Sequence, residues 1–187
     1  QGTEMRFVGI VGYPLSHTLS PVMQQAAFDF YGLPLQYQVW ETPPEALTAV
    51  VERLQRPEYL GMNVTVPHKE AVIPLLDRIE RRARRIGAVN TVLNQRGRLT
   101  GYNTDAEGFQ RSLEGDAGFS IAGKRVVVLG AGGVARAVGV VLGEADAADV
   151  VITNRHPERA MSLVSSLRRH RWKTEFRAIP WEDEQLR

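Results

Sequence analysis

The chain has 187 residues, of which 43% are hydrophobic and 24% charged, and its net charge is +2. This composition is typical of a globular protein of one domain or two small ones, and no apolar run approaches the roughly 18 residues that a membrane-spanning helix needs. The lack of cysteine excludes disulfides and cysteine–metal sites and predicts a cytoplasmic protein, while so small a net charge gives no indication of a nucleic-acid partner.

Strands and helices alternate in the first part of the chain. Apolar runs predict strands over 6–12, 35–41 and 59–66, and helices are predicted after the first two of them. Ser20 suits the N-cap of the first helix, and Pro21 suits its first turn. The helical period places six of its residues on one inward face: Val22, Met23, Ala26, Ala27, Phe30 and Tyr31.

The next segment predicts two short helices, since Pro74 interrupts the first of them. Asp77 and Glu80 resemble a capping box for the second. The segment 88–104 then predicts a β-hairpin with its turn near "QRG", and a helix from Asp105 to Glu114 follows. The stretch "GDAGFSIAGK", rich in glycine and small residues, predicts a junction between two units.

The remainder reads as a strand, a glycine-rich turn, a helix, a second strand, a second helix and a third strand. A continuous apolar strand with a crossover helix predicts a parallel sheet buried on both faces, and the first of these helices has one apolar stripe: Val134, Ala137, Val138, Val141 and Leu142. We therefore predict an α/β protein. Its substrate-binding α/β unit spans 1–115, and a Rossmann-type NADP-binding unit, incomplete at its C-terminus, spans 116–187.

The turn "GAGGVA" has the pattern G-x-G-x-x-A, directly after a strand and at the start of a helix, which is where a dinucleotide site requires it. Gly130 permits the tight turn, Gly132 lets a pyrophosphate approach the backbone, and Ala135 lets the helix pack closely on the strand. The alternative is a turn that needs glycine for its backbone alone. The predicted phosphate-binding residues are Gly130, Ala131, Gly132, Gly133, Val134 and Ala135.

The residues at the end of the second strand of this unit discriminate between NAD and NADP. NAD-binding units usually place Asp or Glu there to bind the ribose 2′-hydroxyl. This chain has Asn154 and Arg155, with Arg159 one turn along. Cations in place of a carboxylate favour the 2′-phosphate of NADP. The alternative is that Arg155 is an ordinary solvated side chain.

Polar side chains follow several apolar segments of the first unit. Thr18 and Ser20 carry hydroxyls at a predicted helix N-terminus, where a carboxylate is bound well. Lys69, which is one of three lysines, Asn90 and Asp105 each follow another apolar segment. For Ser20 and for Asp105, N-capping is the simpler interpretation of each residue taken alone. Together, such strand ends line one rim of an α/β unit, facing a cofactor.

The motifs "GYPLSHTLSP", "NVTVPHKE", "IGAVNT", "GYNTDAEG", "GAGGVARA" and "NR" occur in this order. The set closely resembles the shikimate dehydrogenase family, over nearly the whole chain from Phe7 to Ala160. The resemblance implies NADP-dependent interconversion of 3-dehydroshikimate and shikimate, without a metal. Two departures are that Thr18 stands where the family usually has Ser, and that His156 stands where Thr usually follows the arginine.

The resemblance also implies roles for individual residues. Thr18 and Ser20 match the hydroxyl pair that binds the substrate carboxylate. Thr65 and Lys69 match the substrate-binding threonine and the catalytic lysine. The remaining matches are the substrate-binding Asn90, the substrate-binding and catalytic Asp105, the glycine-rich turn 130–135 and the 2′-phosphate arginine, Arg155.

Family members are longer, with further cofactor-binding strands and a C-terminal helix that returns to the first unit. We therefore expect weak or no turnover from these 187 residues alone. A quinate or aminoshikimate dehydrogenase and a non-catalytic dinucleotide-binding module are the alternatives, whereas "NVTVPHKE" argues against a folate-linked dehydrogenase. The arginine-rich runs 78–85 and 168–173 are interpreted as solvated helix faces. The expected partners are a small-molecule substrate and, at most, a second copy of the chain, with neither nucleic acid nor membrane.

Overall fold

A computed structural model describes residues 5–181, which fall into two compact units that divide between 103 and 104. The first unit is built on a six-stranded sheet with the order β2-β1-β3-β5-β6-β4. The first three strands are parallel, and β5 is antiparallel to both β3 and β6. The strands are β1 (Arg6–Gly12), β2 (Leu35–Glu41), β3 (Tyr59–Val64), β4 (Arg78–Ile79), β5 (Thr91–Gln95) and β6 (Arg98–Tyr102).

Four helices accompany this sheet: α1 (Ser20–Phe30), α2 (Leu47–Leu54), α3 (His68–Ala71) and α4 (Arg81–Ile86). Single 3₁₀ turns at Pro44–Ala46 and Ile73–Leu75 precede α2 and follow α3. The larger hydrophobic core lies on the α2 side of the sheet, where α2 buries Leu47, Val51 and Leu54. A smaller cluster of Ile10, Leu15 and Tyr37 packs with Phe28 of α1.

Helix α1 does not bury the face that its apolar periodicity predicts. Val22, Met23, Phe30 and Tyr31 are 63–82% exposed, and α1 has no fully buried residue. The face that meets the sheet includes Gln25, whose side-chain amide donates to the Leu35 carbonyl and accepts from the Tyr37 N–H. This amide pairs with the edge strand β2 as a neighbouring strand would, so polar bonding rather than apolar burial orients α1.

Helix α4 begins at a different cap from the predicted capping box. Glu80 is itself the N-cap, and its carboxylate accepts from the N–H groups of Arg82 and Ala83. The Asp77 carboxylate instead accepts from the N–H of Leu99 on β6. The predicted hairpin is confirmed, because β5 and β6 pair antiparallel across a turn in which Arg96 and Gly97 have φ of 57° and 83°.

The second unit contains a three-stranded parallel sheet of order β7-β8-β9. Its strands are β7 (Arg125–Leu129), β8 (Asp149–Thr153) and β9 (Glu175–Ala178), and its helices are α5 (Asp105–Gln110), which continues as a π-helical segment (Arg111–Asp116), α6 (Gly133–Glu144) and α7 (Pro157–Arg168). This is the predicted alternation of strands and crossover helices. Among the described residues, no helix is both long and apolar enough to cross a membrane.

Two predictions for the packing of the second unit are wrong in detail. Among the described residues, strand β7 is not buried on both faces: Val127 and Leu129 are 51% and 67% exposed. On α6, Val134 is exposed and Val140 is buried. The stripe is shifted because α6 brings Gly139 against Leu167 of α7, where an added Cβ would lie 2.6 Å from a leucine methyl.

The division between the units falls earlier in the chain than the predicted boundary at 115. Helix α5, which the sequence assigns to the first unit, packs against α6 and therefore belongs to the second. The predicted units also include 1–4 and 182–187, which lie outside the described residues. A functional boundary at 115 stays a prediction.

Candidate active site

The candidate site of the first unit lies where β1 and β3 end. The pairing of these parallel strands continues past β3, since the Thr65 N–H donates to the Val11 carbonyl at 2.9 Å. Gly12 ends β1 directly beside the Thr65 side chain, and a Cβ at this position would overlap the Thr65 methyl group. A glycine here therefore lets the threonine occupy the end of the sheet.

A cavity of about 360 Å³ opens at this end of the sheet. Three predicted substrate-binding hydroxyls, those of Thr18, Ser20 and Thr65, line it together. Its remaining walls include Ser16 and His17, which precede Thr18 in the same loop and which the sequence analysis did not single out. The structure therefore brings two hydroxyl motifs that are far apart in the chain to one cavity.

The Ser20 hydroxyl is not used to cap α1. Leu19 occupies the N-cap position without a side-chain cap bond, and Ser20 is the first helical residue. The Ser20 N–H is satisfied by the Thr18 hydroxyl oxygen at 3.3 Å. The capping interpretation of Ser20 is therefore wrong, because the helix begins one residue earlier than that role requires. Its hydroxyl lies at the cavity.

A tyrosine and an asparagine that the sequence analysis did not assign to the site lie next to Ser20. Burial raises the pKa of Tyr37 to about 12, while a hydrogen bond with the Ser20 side chain acts in the opposite direction. The Tyr37 hydroxyl donates to Asn63 Oδ1 at 2.7 Å. Asn63 belongs to the "NVTVPHKE" motif, whose pattern by itself indicates only a supporting role in the turn.

Lys69 and Asn90 are held at the same end of the sheet by backbone hydrogen bonds. Lys69 lies in α3, and its carbonyl accepts from the Val89 N–H at 2.7 Å. The Asn90 carbonyl accepts from the N–H of Val64, the last residue of β3, at 2.8 Å. Both residues are therefore fixed beside the segment that carries Thr65, and both side chains are partly buried.

His68 precedes Lys69 but belongs to the core. Its side chain is 1% exposed, and Nε2 lies 2.7 Å from the Thr42 carbonyl oxygen. This bond ties α3 to the loop after β2. His68 is therefore a structural residue of this turn and supports the position of Lys69.

Asp105 lies in the second unit, as the first residue of α5. The N-cap of that helix is Thr104, and no side-chain cap bond is made there. The N-capping interpretation of Asp105 is thus wrong as well. The substrate-binding and catalytic roles of Asp105 stay predictions.

The glycine-rich turn has the backbone that a phosphate site needs. Gly130 has φ of +117°, a conformation that side chains rarely adopt, and its N–H donates to the Thr153 carbonyl at 2.8 Å. Gly132 is the N-cap of α6. A Cβ built on Gly132 would meet no described atom within 4 Å, so packing inside the protein does not explain its glycine. The first turn of α6, with Gly133, Val134 and the buried Ala135, presents its N–H groups to this open space.

The predicted 2′-phosphate residues follow β8. Asn154 donates from Nδ2 to the His156 carbonyl at 3.0 Å, which shapes the turn before α7. Arg155 and Arg159 are both exposed, and within the described part of the chain neither guanidinium is in an ion pair or hydrogen bond. Two cations and no carboxylate therefore lie where an NAD-binding unit would place its acid.

Comparison with known proteins agrees with these sites. The family model described as the shikimate dehydrogenase substrate binding domain matches residues 10–92, and that of shikimate / quinate 5-dehydrogenase matches residues 113–180. The shikimate dehydrogenase (NADP(+)) of Geobacter metallireducens is 49% identical over 175 residues, which make up 94% of this chain and 61% of the relative. The chain thus spans about three-fifths of the length of the curated relatives it matches first.

Solved structures show the same similarity. Shikimate 5-dehydrogenase from Thermus thermophilus, in complex with NADP(H) and shikimate, is 41% identical, with a TM-score of 0.80 over 94% of this chain and 63% of that one. The ligand-free 5-ketofructose reductase of Gluconobacter sp. strain CHM43 is 36% identical, with a TM-score of 0.82 over 97% of this chain and 64% of that one. Proteins named for different small molecules therefore share the fold of this chain.

Proposed function

Because the chain belongs to the shikimate dehydrogenase family, we propose that it serves the NADP-dependent interconversion of 3-dehydroshikimate and shikimate. The observation that carries this proposal is the meeting of Thr18, Ser20 and Thr65 in one cavity, beside the segments that hold Lys69 and Asn90. Hydroxyl donors suit the substrate carboxylate and ring hydroxyls, and a lysine suits proton transfer at the reacting oxygen.

The roles of the residues follow from their chemistry. The nicotinamide, when bound, supplies or accepts the hydride. In the direction of reduction, the Lys69 ammonium gives a proton to the carbonyl oxygen of the substrate and becomes neutral; in oxidation, neutral Lys69 takes the hydroxyl proton. A cation near that oxygen also stabilises the negative charge that develops on it. Asp105, as a carboxylate, would accept a hydrogen bond from a substrate hydroxyl.

The cofactor preference is part of the same proposal. The open turn at Gly132 and the first N–H groups of α6 suit the pyrophosphate of a dinucleotide. Asn154, Arg155 and Arg159 would surround the 2′-phosphate, for which a guanidinium is a strong bidentate partner. These residues favour NADP over NAD because no carboxylate competes for that position.

The substrate carboxylate gives the sharpest test of the proposed function. Shikimate, its methyl ester and 5-ketofructose are compared as ligands of the chain and of its Ser20→Ala variant by isothermal titration calorimetry. We expect shikimate to bind more tightly than either neutral ligand, and Ser20→Ala to weaken shikimate about tenfold, the size of one hydrogen bond to a charged group. The same substitution should affect the ester much less.

Ser112→Ala, in the π-helical segment of the second unit, is the matched control and should leave all three affinities unchanged. Equal binding of shikimate and its ester, or tighter binding of 5-ketofructose, would contradict recognition of a carboxylate by the Thr18–Ser20 loop.

A further inference from the structure

The main chain of Asn90 is fixed from two sides. Its N–H donates to the Tyr102 carbonyl of β6 at 3.0 Å, and its carbonyl accepts from the Val64 N–H of β3 at 2.8 Å. Asn90 immediately precedes β5, which lies between these two strands. With the backbone held in this way, the direction of the side-chain amide decides whether Asn90 offers a ligand a hydrogen-bond donor or an acceptor.

A neighbouring hydroxyl sets the direction of this amide. Thr91 Oγ1 donates to Asn90 Oδ1 at 3.0 Å. An asparagine amide has an acceptor oxygen at one end and two N–H donors at the other. Since the oxygen faces Thr91, the Nδ2 donors of Asn90 face away from it.

Thr91 itself is well placed to hold this bond. It is the first residue of β5, and its register partners are Asn63 on β3 and Tyr102 on β6. Its side chain is half-buried between two strands, and a β-branched residue has few χ1 rotamers in such a position. Asn63 is in turn fixed by the Tyr37 hydroxyl, so the surroundings of Thr91 are ordered as well.

We propose that Thr91 is a positioning residue that presents Asn90 to the substrate as a hydrogen-bond donor. This inference rests on the proposed function, in which Asn90 is a substrate-binding residue and is taken here to meet a substrate hydroxyl. A hydroxyl oxygen that accepts from Asn90 Nδ2 keeps its own hydrogen for another acceptor. In the opposite orientation, Asn90 Oδ1 would itself take the single hydroxyl hydrogen.

The amide orientation is measured first, without ligand. Amide–methyl nuclear Overhauser effects are recorded between the Asn90 Nδ2 protons and the methyl groups of residue 91 in the wild type and in Thr91→Val, which replaces the hydroxyl by a methyl of similar size. We expect these effects to be weak in the wild type, where the carbonyl end of the amide faces Thr91, and stronger in Thr91→Val, where the bond that holds the carbonyl end there is lost. Strong effects in the wild type would overturn the proposal.

Shikimate affinity is measured next, by isothermal titration calorimetry, on the same variants. Thr91→Val should weaken binding about threefold to tenfold, the size of one net hydrogen bond, and Thr91→Ser should restore it to within about twofold. Thr100→Val, on the neighbouring strand of the same hairpin, is the matched control and should bind as the wild type does.

Unchanged shikimate affinity in Thr91→Val, or an equal loss in Thr91→Ser, would contradict a positioning role for the hydroxyl. A wild-type chain that has the expected amide orientation but binds no shikimate would contradict the proposed function, while it would support the orientation of Asn90 by Thr91. The two ideas therefore fail in different measurements.

Discussion

Tyr37 connects the loop that carries Thr18 and Ser20 to β3, the strand that leads to Thr65. Its hydroxyl donates to Asn63 on β3 and contacts the Ser20 side chain, and its N–H donates to Gln25 of α1. The side chain is 7% exposed, and burial without these partners would cost free energy. One buried tyrosine therefore fixes both sides of the cavity relative to each other.

The raised pKa of Tyr37 predicts a specific loss of stability at high pH. The pKa is 10.0 for the ordinary group and about 12 in the folded chain. The stability contributed by the buried neutral hydroxyl is fully present below pH 10, and it is lost as the pH rises towards 12. Urea unfolding at a series of pH values should therefore show the wild type losing its advantage over Tyr37→Phe in this window.

Tyr31→Phe is the matched control for this measurement, because Tyr31 is 73% exposed. Its difference from the wild type in free energy of unfolding should stay within about 0.5 kcal/mol throughout. A pH-independent difference for Tyr37→Phe would contradict the burial of a neutral Tyr37 hydroxyl in the folded chain.

Single residues can be predicted where a motif carries them. The motifs assign Thr18, Ser20 and Thr65 to one site, and these residues line one cavity. Tyr37 and Asn63 cannot be assigned in this way, because their bond joins residues 26 positions apart and depends on strand register. Their signal in the sequence is weak: a tyrosine within an alternating strand and an asparagine just before Thr65.

Among the elements, α1 departs most from its sequence pattern. Its strongest apolar stripe faces outward, and the face on the sheet is carried by Gln25 and Phe28. Apolar periodicity identifies a stripe but not the partner that covers it. The Gln25 amide makes two hydrogen bonds to the backbone of β2. These bonds satisfy edge groups of β2 that would otherwise be unpaired, and they can outweigh the apolar stripe in orienting α1.

Two phenylalanines on α1 test this orientation. Phe28 packs against the cluster of Ile10, Leu15 and Tyr37, whereas Phe30 is 82% exposed. In this chain, Phe28→Ala should lower the free energy of unfolding by about 2 kcal/mol, since the site is partly buried. Phe30→Ala should change it by less than about 0.5 kcal/mol. Urea denaturation of both variants measures the contrast, and a larger loss for Phe30→Ala would mean that α1 is turned the other way.

Other elements are predicted closely, for local reasons. Strands 6–12 and 35–41 have their predicted bounds because β-branched and aromatic runs end at clear breaks. The predicted N-cap of α4 is wrong because Asp77 and Glu80 are both plausible caps in the sequence. Only the hydrogen bond between Asp77 and β6 decides between them. Helix ends that depend on tertiary partners are thus the least predictable.

The whole molecule consists of two units in the predicted order, a mixed sheet followed by a parallel βαβ sheet. Family models match 10–92 and 113–180, so the structural division at 103 lies within the segment that neither model covers, whereas the predicted boundary at 115 lies just inside the second match. The chain spans about three-fifths of its curated relatives. Ligand binding by each unit is therefore a more direct property to measure than turnover.

The central claim is that the cavity at the ends of β1 and β3 binds shikimate. The most direct measurement is a titration of the ¹⁵N-labelled chain with shikimate, followed by backbone amide resonances. Shikimate binding in this cavity should give saturable shifts concentrated at Thr18, Ser20, Thr65, Lys69 and Asn90, which the structure holds at one end of the first sheet. No saturable shift, or shifts confined to residues away from this cavity, would contradict it.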